Sequence, residues 1–584
     1  MEITSLARST RVDLIRFEVI RNALVAATEE MALALKRSAY STNVKTRSDF
    51  SCAFFDHSLR PIAQGFTQPV HLGSLVRIVP AAISKYDPDR LVAGDTIITN
   101  HPFEGGVHLN DVTLISPVYV DSELLGYVAS LAHHVDVGGG APASIGAFRE
   151  VFQEGVIIPP VRLTTGGEII PDIFNLILAQ IRSKHETGGD FRAQLAANNT
   201  GIRRLQELVR QHGLEAVRED IDELVHYTER RTRSEVNKLP RGVFSATGQV
   251  DTDGYTDEPV TLSVRIVIDD EGVLFDFTDS DRQRRSPVNS TYAQTYSACS
   301  YILKALLDPD IPVNAGFYKF VQLEAPLGSV TNCTPPFPVV GGWETHMRLV
   351  EVALLALAPA MPDRVPAGTK GMICHSGFGG IDPDTGEYYC FLETLAGGYG
   401  ARSRKDGPDA VQVHGQNTEN APVEETELNY PVRIVRYELI ADSEGAGEFR
   451  GGLGLRRDYM FPDRPTTFTV LADRDKQGPH GLRGGLPGKV AEYILNPDSG
   501  RGTALRAKGT VELQPGDVVS FRTCGGGGYG HPFSREPARV LRDVREGKVG
   551  LERARRVYGV VIDPREWVVD LVATDLVRSG AGDE

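Results

Sequence analysis

Cysteine is scarce in this chain: six in 584 residues, placed singly and never as a C-x-x-C pair. That excludes a disulfide framework and a zinc-finger spacing, and it leaves Cys52, Cys299, Cys333, Cys374, Cys390 and Cys524 to be read as buried or half-buried free thiols. Long apolar runs are missing too. The longest, such as 352–361, fall far short of the roughly 20 residues that span a bilayer. The first residues, MEITSLARSTRVDLIRFEV, carry acids early and have no apolar core of a secretory leader. Positive charge is in deficit, with 62 Lys+Arg against 77 Asp+Glu and a net charge of -15, which argues against a nucleic-acid partner. A cytoplasmic protein without a membrane segment is the expectation.

What is present is an ordinary globular mix, 41% hydrophobic and 24% charged, long enough for several structural units. Hydrophobic spacing predicts one amphipathic helix over 11–39, a β segment over 50–62 turning at 56–58, and strands over 95–100, 111–120 and 124–134. The last two read as a hairpin about 121–123. Residues 172–235 read as helical with a break at Asn198–Gly201, and Pro240 closes that region. Strands then dominate from Val243, with helices over 288–307 and 344–358. Beyond about 430 come short strands, Gly-rich turns and a final helix over 534–557. The fold class is therefore α+β, in three parts: 1–240 with a hairpin-borne site and a helical segment, 241–430, and a β-rich 431–584 with its terminal helix.

Chemistry concentrates in one place. Fourteen histidines in 584 residues would put fewer than one in the 34 positions from 101 to 134, yet His101, His108, His133 and His134 stand there with Asp111 and Asp136 alongside. Imidazole with carboxylate is a ligand set for a divalent ion such as Zn, Mn or Fe. His108 and Asp111 are three apart at the entry to a strand, and the hairpin returns His133 to the same end. A set of solvated or core-satisfied histidines beside a turn is the competing reading, and spacing alone leaves both open. The glycine clusters at 450–454, 481–488 and 524–530 match neither a P-loop nor a dinucleotide fingerprint. They read as tight turns, with an anion cradle as the lesser alternative for CGGGGYG. No G-x-S-x-G elbow is present, and Cys374–His375 is only a neighbouring pair.

Motifs along nearly the whole chain, among them RSDFSCAFFD (47–56), QPVHLGS (68–74), HPFEGGVHLNDV (101–112), AHHVDVGGGAP (132–142), IPVNAGFY (311–318) and GGGGYG (525–530), resemble the hydantoinase B/oxoprolinase family. More distantly the chain is similar to a subunit of acetone and acetophenone carboxylases. The resemblance implies one divalent metal, Zn before Mn or Fe, on Asp49, His108, Asp111 and His133. It leaves His134, on the other side of its strand, and Asp136 as candidates for acid–base or supporting roles, with structural roles as the alternative. It also implies an ATP-dependent hydrolase of cyclic amides (hydantoin, oxoproline or lactam) that works with an actin-like ATPase subunit, on which ATP and Mg would sit, in an (αβ)2 assembly. A carboxylase subunit is the alternative reading, and a non-catalytic scaffold for the ATPase is a third. Two departures from the family pattern stand out: Trp343 where Asn is expected, and His531 where Asp is commoner.

Overall fold

The computed structural model describes residues 13–65, 68–86, 90–382, 384–463, 465–500 and 502–580. The first helix runs Leu14–Ser38, and Asp13 caps it by accepting from the N–H groups of Ile15 and Arg16. Residues 11 and 12 of the expected helix, and most of the segment read for a leader, lie outside the described residues. Phe17, Ile20, Leu24, Met31 and Leu35 form its buried stripe and pack on a sheet and on the helix Lys184–His212. Among the described residues no helix is long and apolar enough to cross a membrane.

That sheet has seven strands: β1 (Phe50–Asp56), β2 (Pro61–Gln64), β3 (Thr96–Thr99), β4 (Asp111–Val120), β5 (Glu123–His133), β6 (Val161–Thr165) and β7 (Glu168–Ile169). Its order is β2-β1-β5-β4-β3-β6-β7, with every neighbouring pair antiparallel. The expected hairpin is present as β4 and β5, and Asp121 turns it with a φ of 55°.

The break expected at Asn198–Gly201 is absent. The helix Lys184–His212 runs through it and stops at Gly213, whose φ is 84°. Tertiary contacts override local propensity here. Asn198 donates to Leu114 O and to Ser116 Oγ across the sheet, while a Cβ on Gly201 would stand 2.4 Å from Met31 Sδ. Before that helix, Pro171–Ala179 forms a separate one, and Leu214–Val236 follows it.

A second sheet, ordered β11-β10-β9-β8, comprises β8 (Gly242–Val250), β9 (Val260–Ile268), β10 (Val273–Asp276) and β11 (Val321–Glu324). The helices Tyr292–Leu306 and Gly342–Leu357 pack beside it, the second buried at every residue but Leu355. The strands that follow are β12 (His375–Ile381), β13 (Tyr388–Thr394), β14 (Arg433–Leu439), β15 (Leu455–Met460), β16 (Thr466–Leu471), β17 (Glu492–Leu495), β18 (Thr503–Ala504), β19 (Lys508–Leu513) and β20 (Val518–Arg522), and a separate pair, Ile562–Asp563 with Val568–Val569, lies near the end. Strands β12 to β20 build two sheets, β13-β12-β16-β19 and β14-β15-β20-β17-β18. Strand pairing thus crosses residue 430, because β12 pairs with both β13 and β16. The terminal helix is two helices, Pro537–Arg545 and Leu551–Tyr558, since Gly547 turns the chain between them with a φ of 70°. A further helix, Leu571–Arg578, follows.

The glycine clusters knit into one another. A Cβ on Gly452 would lie 1.8 Å from Pro408 O, and one on Gly527 would lie 1.9 Å from His480 O, so backbone meets backbone where no side chain fits. Each N–H from Gly525 to Gly530 donates to a carbonyl: Lys489, Gly452, Gly368, Leu486, Phe449 and Leu482 in turn. None is left to cradle a phosphate. The tight-turn reading holds.

Candidate metal centre

Asp111 and His133 are directly opposed residues of β4 and β5, so the antiparallel register alone puts both side chains on one face. His108 joins them through a tight turn closed by Asp111 N–H donating to His108 O at 3.2 Å. Three ligand atoms then meet. His108 Nε2, His133 Nδ1 and Asp111 Oδ1 are mutually 3.2 Å apart, an equilateral triangle. As one face of a tetrahedron this triangle has its centre about 2.0 Å from each atom, a zinc-ligand distance. As a face of an octahedron the distance is about 2.3 Å, suited to Mn or Fe.

The donor set fits a cation in a second respect. Both oxygens of Asp111, fully buried, accept no hydrogen bond within the protein, a costly state for an ionised carboxylate. Burial pushes the Asp111 carboxyl up, but the His108 and His71 imidazoles beside it outweigh burial and hold it well below the usual range. Burial also lowers His133, to about 4. Ionised carboxylate and neutral imidazole are the forms that bind metal.

Around the triangle stand residues from distant parts of the chain. Asp49 precedes β1, and its carbonyl accepts from His133 N–H at 3.0 Å, so it sits beside the site. Its carboxylate lies 3.8 Å from His71 Nε2, which is itself 3.7 Å from Asp111 Oδ2. These spans exceed a direct hydrogen bond and suit a bridging water or ion. His71 rises from the helix Pro69–Ile83. Trp343 sets its ring edge against His108 at 5.3 Å and against His71 at 6.1 Å. Glu344, next in the same helix, accepts from the N–H groups of Ile373 and Cys374 and lies 3.8 Å from His375 Nδ1. Spacing arguments miss His71, Glu344 and His375; the one sequence signal for His71 is its place in QPVHLGS.

His134 and Asp136 are not brought into the cluster. His134 points to the opposite face of its strand, where Nε2 meets Gln194 Oε1 at 3.0 Å and the ring packs 4.5 Å from Phe191. Asp136 accepts from Arg182 N–H at 3.0 Å, from Arg182 Nη1 at 2.9 Å and from Gly138 N–H at 3.1 Å. His101 is half-buried at the start of a 3-10 turn, and its Nδ1 has no partner. His531 lies at the far end of the chain and caps a turn by accepting from Phe533 N–H. A second acidic group, Asp251, Asp473 and Asp475, lies apart from this one, and one buried oxygen of each has no hydrogen-bond partner. Lys508 Nζ lies 3.2 Å from Asp473, and the N–H groups of Lys476 and Gln477 donate to Asp251.

The sequence profile described as hydantoinase B/oxoprolinase matches residues 13–532. The chain is 38% identical to an uncharacterized protein of Methanocaldococcus jannaschii over 97% of this chain and 100% of that one. It is 30% identical to one chain of a putative D-/L-hydantoinase from a Pseudomonas species, over 96% and 97% of the two chains. The crystal structure of an ATP-dependent caprolactamase from Pseudomonas jessenii superposes with a TM-score of 0.90 at 31% identity, covering 97% of this chain and 100% of that one.

Proposed function

Because the chain belongs to the hydantoinase B/oxoprolinase family, we propose that it is the metal-bearing subunit of an ATP-dependent enzyme that opens cyclic amides: a hydantoin, an oxoproline or a lactam. The observation that carries this reading is the 3.2 Å triangle of His108, Asp111 and His133. A divalent ion held there, Zn before Mn or Fe, supplies Lewis acidity toward an amide carbonyl and toward water. Asp49, whose carboxylate lies 3.8 Å from His71 and not within the triangle, is the fourth ligand that the family resemblance implies.

The chain's own groups do the rest. His71 Nε2, set between two carboxylates, is placed to hold a proton and deliver it to the leaving nitrogen. That role passes to His71 because His134 and Asp136 are engaged elsewhere. Through Gln194, which also donates to Val112 O and Ser130 O, His134 ties the helix Lys184–His212 to the hairpin. Asp136 pins the loop that follows it. Trp343 forms an apolar wall over the imidazoles, sheds water and limits the ring that enters. Unstrained amides resist hydrolysis, and every amide of the 525–530 loop is already bonded. As the family resemblance implies, ATP and its Mg sit on an actin-like ATPase partner, in an (αβ)2 assembly in the cytoplasm.

The test is reconstitution with the ATPase partner in oxygen-labelled water, with hydantoin, 5-oxoproline and caprolactam as substrates. Ring-opened product carrying solvent oxygen in its new carboxylate is expected. Incorporation of labelled bicarbonate carbon into a ketone, with every cyclic amide left intact, overturns the reading in favour of a carboxylase.

A further inference from the structure

Asp251 directly follows β8, and Asp473 and Asp475 lie in the turn after β16, so two different sheets bring three carboxylates to one place. One ligand oxygen of each lies within 4.8 Å of the other two. The backbone holds two of the three carboxylates by their remaining oxygens. Asp251 Oδ2 accepts from the N–H groups of Lys476 and Gln477 at 2.8 and 2.9 Å. Asp473 Oδ1 accepts from Asp251 N–H at 2.9 Å. Asp251 Oδ1, Asp473 Oδ2 and Asp475 Oδ1 are left buried, with no hydrogen-bond donor among the described residues.

Such oxygens are costly, because Asp473 is fully buried and Asp251 is only 2% exposed. The cations at hand do not remove the cost. Lys508 Nζ donates to Asp473 Oδ1 at 3.2 Å, the oxygen already bonded. Arg348 Nε lies 3.7 Å from Asp473 Oδ2, but it donates to Gln249 O at 2.7 Å, and its guanidinium is shared with Glu351. Burial, joined by the neighbouring Asp473, pushes the Asp251 carboxyl up, as expected where negative charge is under-compensated. Asp475 is half-buried, which leaves the group a way in from solvent.

We propose that Asp251, Asp473 and Asp475 form a second cation site, which takes one Ca2+ and ties the end of β8 to the turn after β16. Donors that are all oxygen suit a hard cation, unlike the imidazoles of His108 and His133. Ca2+ takes oxygens at about 2.3–2.6 Å and so spans ligands up to about 5 Å apart, whereas Mg2+, at about 2.0–2.1 Å, spans only about 4.2 Å. The site shares no ligand with the His108 triangle and does not depend on the reaction proposed above.

The test uses the full-length, chelator-treated His108→Ala chain, in which the triangle is broken. Calorimetric titration with CaCl2 should show one ion per chain with a dissociation constant on the order of 0.1 mM. Calcium at about 10 mM should raise the melting temperature, because the ion binds only the folded chain. Asp475→Asn should weaken binding at least tenfold without lowering the melting temperature of the ion-free chain, since it removes a repulsion. Asp473→Asn should weaken binding as much, and should also melt earlier because Lys508 loses its partner. Absence of both heat and a melting shift overturns the proposal, as does binding indifferent to Asp475→Asn. Calcium bound by the wild type but not by His108→Ala, or a response confined to Mg2+, overturns it too.

Discussion

Asp111 Oδ1 and His133 Nδ1 lie 3.2 Å apart because their residues are directly opposed on β4 and β5. The contact costs no loop ordering: two strands already paired along their length deliver it. A site whose core comes from sheet register is rigid, and rigidity is what a metal centre requires of its ligands.

The first expectation follows from that geometry. His108→Ala or His133→Ala removes one corner of the triangle, so metal content should fall below one tenth of the wild-type value and turnover with the partner should vanish. Elemental analysis of the purified variants checks it. Saturating metal, at a thousand times its dissociation constant, stabilises a folded chain by about 4 kcal/mol. A chelator should therefore lower the wild-type melting temperature and leave that of His108→Ala unmoved.

Trp343 supplies the second. Its ring meets those of His108 and His71 in T-shaped contacts without offering a ligand, and the proposed function makes it the wall beside the triangle. Trp343→Asn should keep its metal, raise KM for the preferred ring by about tenfold, a loss of about 1.4 kcal/mol of contact, and admit bulkier rings. Kinetics over a series of lactams and hydantoins of increasing size reads this out. Unchanged ring preference would remove Trp343 from the pocket wall.

The third concerns nucleotide. With all six N–H groups from Gly525 to Gly530 donating to carbonyls, no loop amide is free for a phosphate. Titration calorimetry of ATP into the isolated chain should be flat, and Gly526→Ala, whose Cβ would stand 2.1 Å from Tyr399 O, should destabilise the fold instead of altering nucleotide affinity. Micromolar ATP binding by the chain alone contradicts this.

What the sequence made legible tracks sequence distance. His108 and Asp111 are neighbours through a turn and His133 returns on a hairpin, so local pattern brings all three together while leaving their role as ligands open. Asp49, His71, Trp343 and His375 come from elements as far as 267 residues from His108; family motifs contain Asp49 and His71, Trp343 stands out only as a departure from the family pattern, and no motif contains His375. The α+β class was legible from the change of hydrophobic period along the chain. The false break at Asn198–Gly201 has a specific cause: Asn and Gly signal turns by propensity, but here each is a packing residue, one bonding the sheet and the other clearing Met31. His134 was visible as a histidine in the cluster, yet strand alternation sends its ring into the core.

The last expectation is a pH dependence with its source in Glu154. This residue is buried, and burial pushes its carboxyl up to about 8 despite the N–H groups of Val340 and Val339 that its Oε1 accepts. Oε2 is buried and has no partner. Unfolded, the same group titrates near 4.5. Between those values the folded chain binds the proton and the unfolded chain does not, so stability is full below about pH 4.5 and is lost as pH rises through about 8. The loss is on the order of a few kcal/mol. Glu154→Gln keeps the Oε1 acceptor and carries no charge at any pH. It should match the wild type near pH 5 and unfold at higher denaturant than the wild type at pH 9. Because Val339 and Val340 lead directly into the helix that bears Trp343, Glu154→Ala should loosen that wall and raise KM, whereas Glu154→Gln should not. Parallel denaturation curves for wild type and Glu154→Gln across pH 5 to 9 would show that the carboxyl is ionised in the fold and that some other contact holds the Trp343 helix.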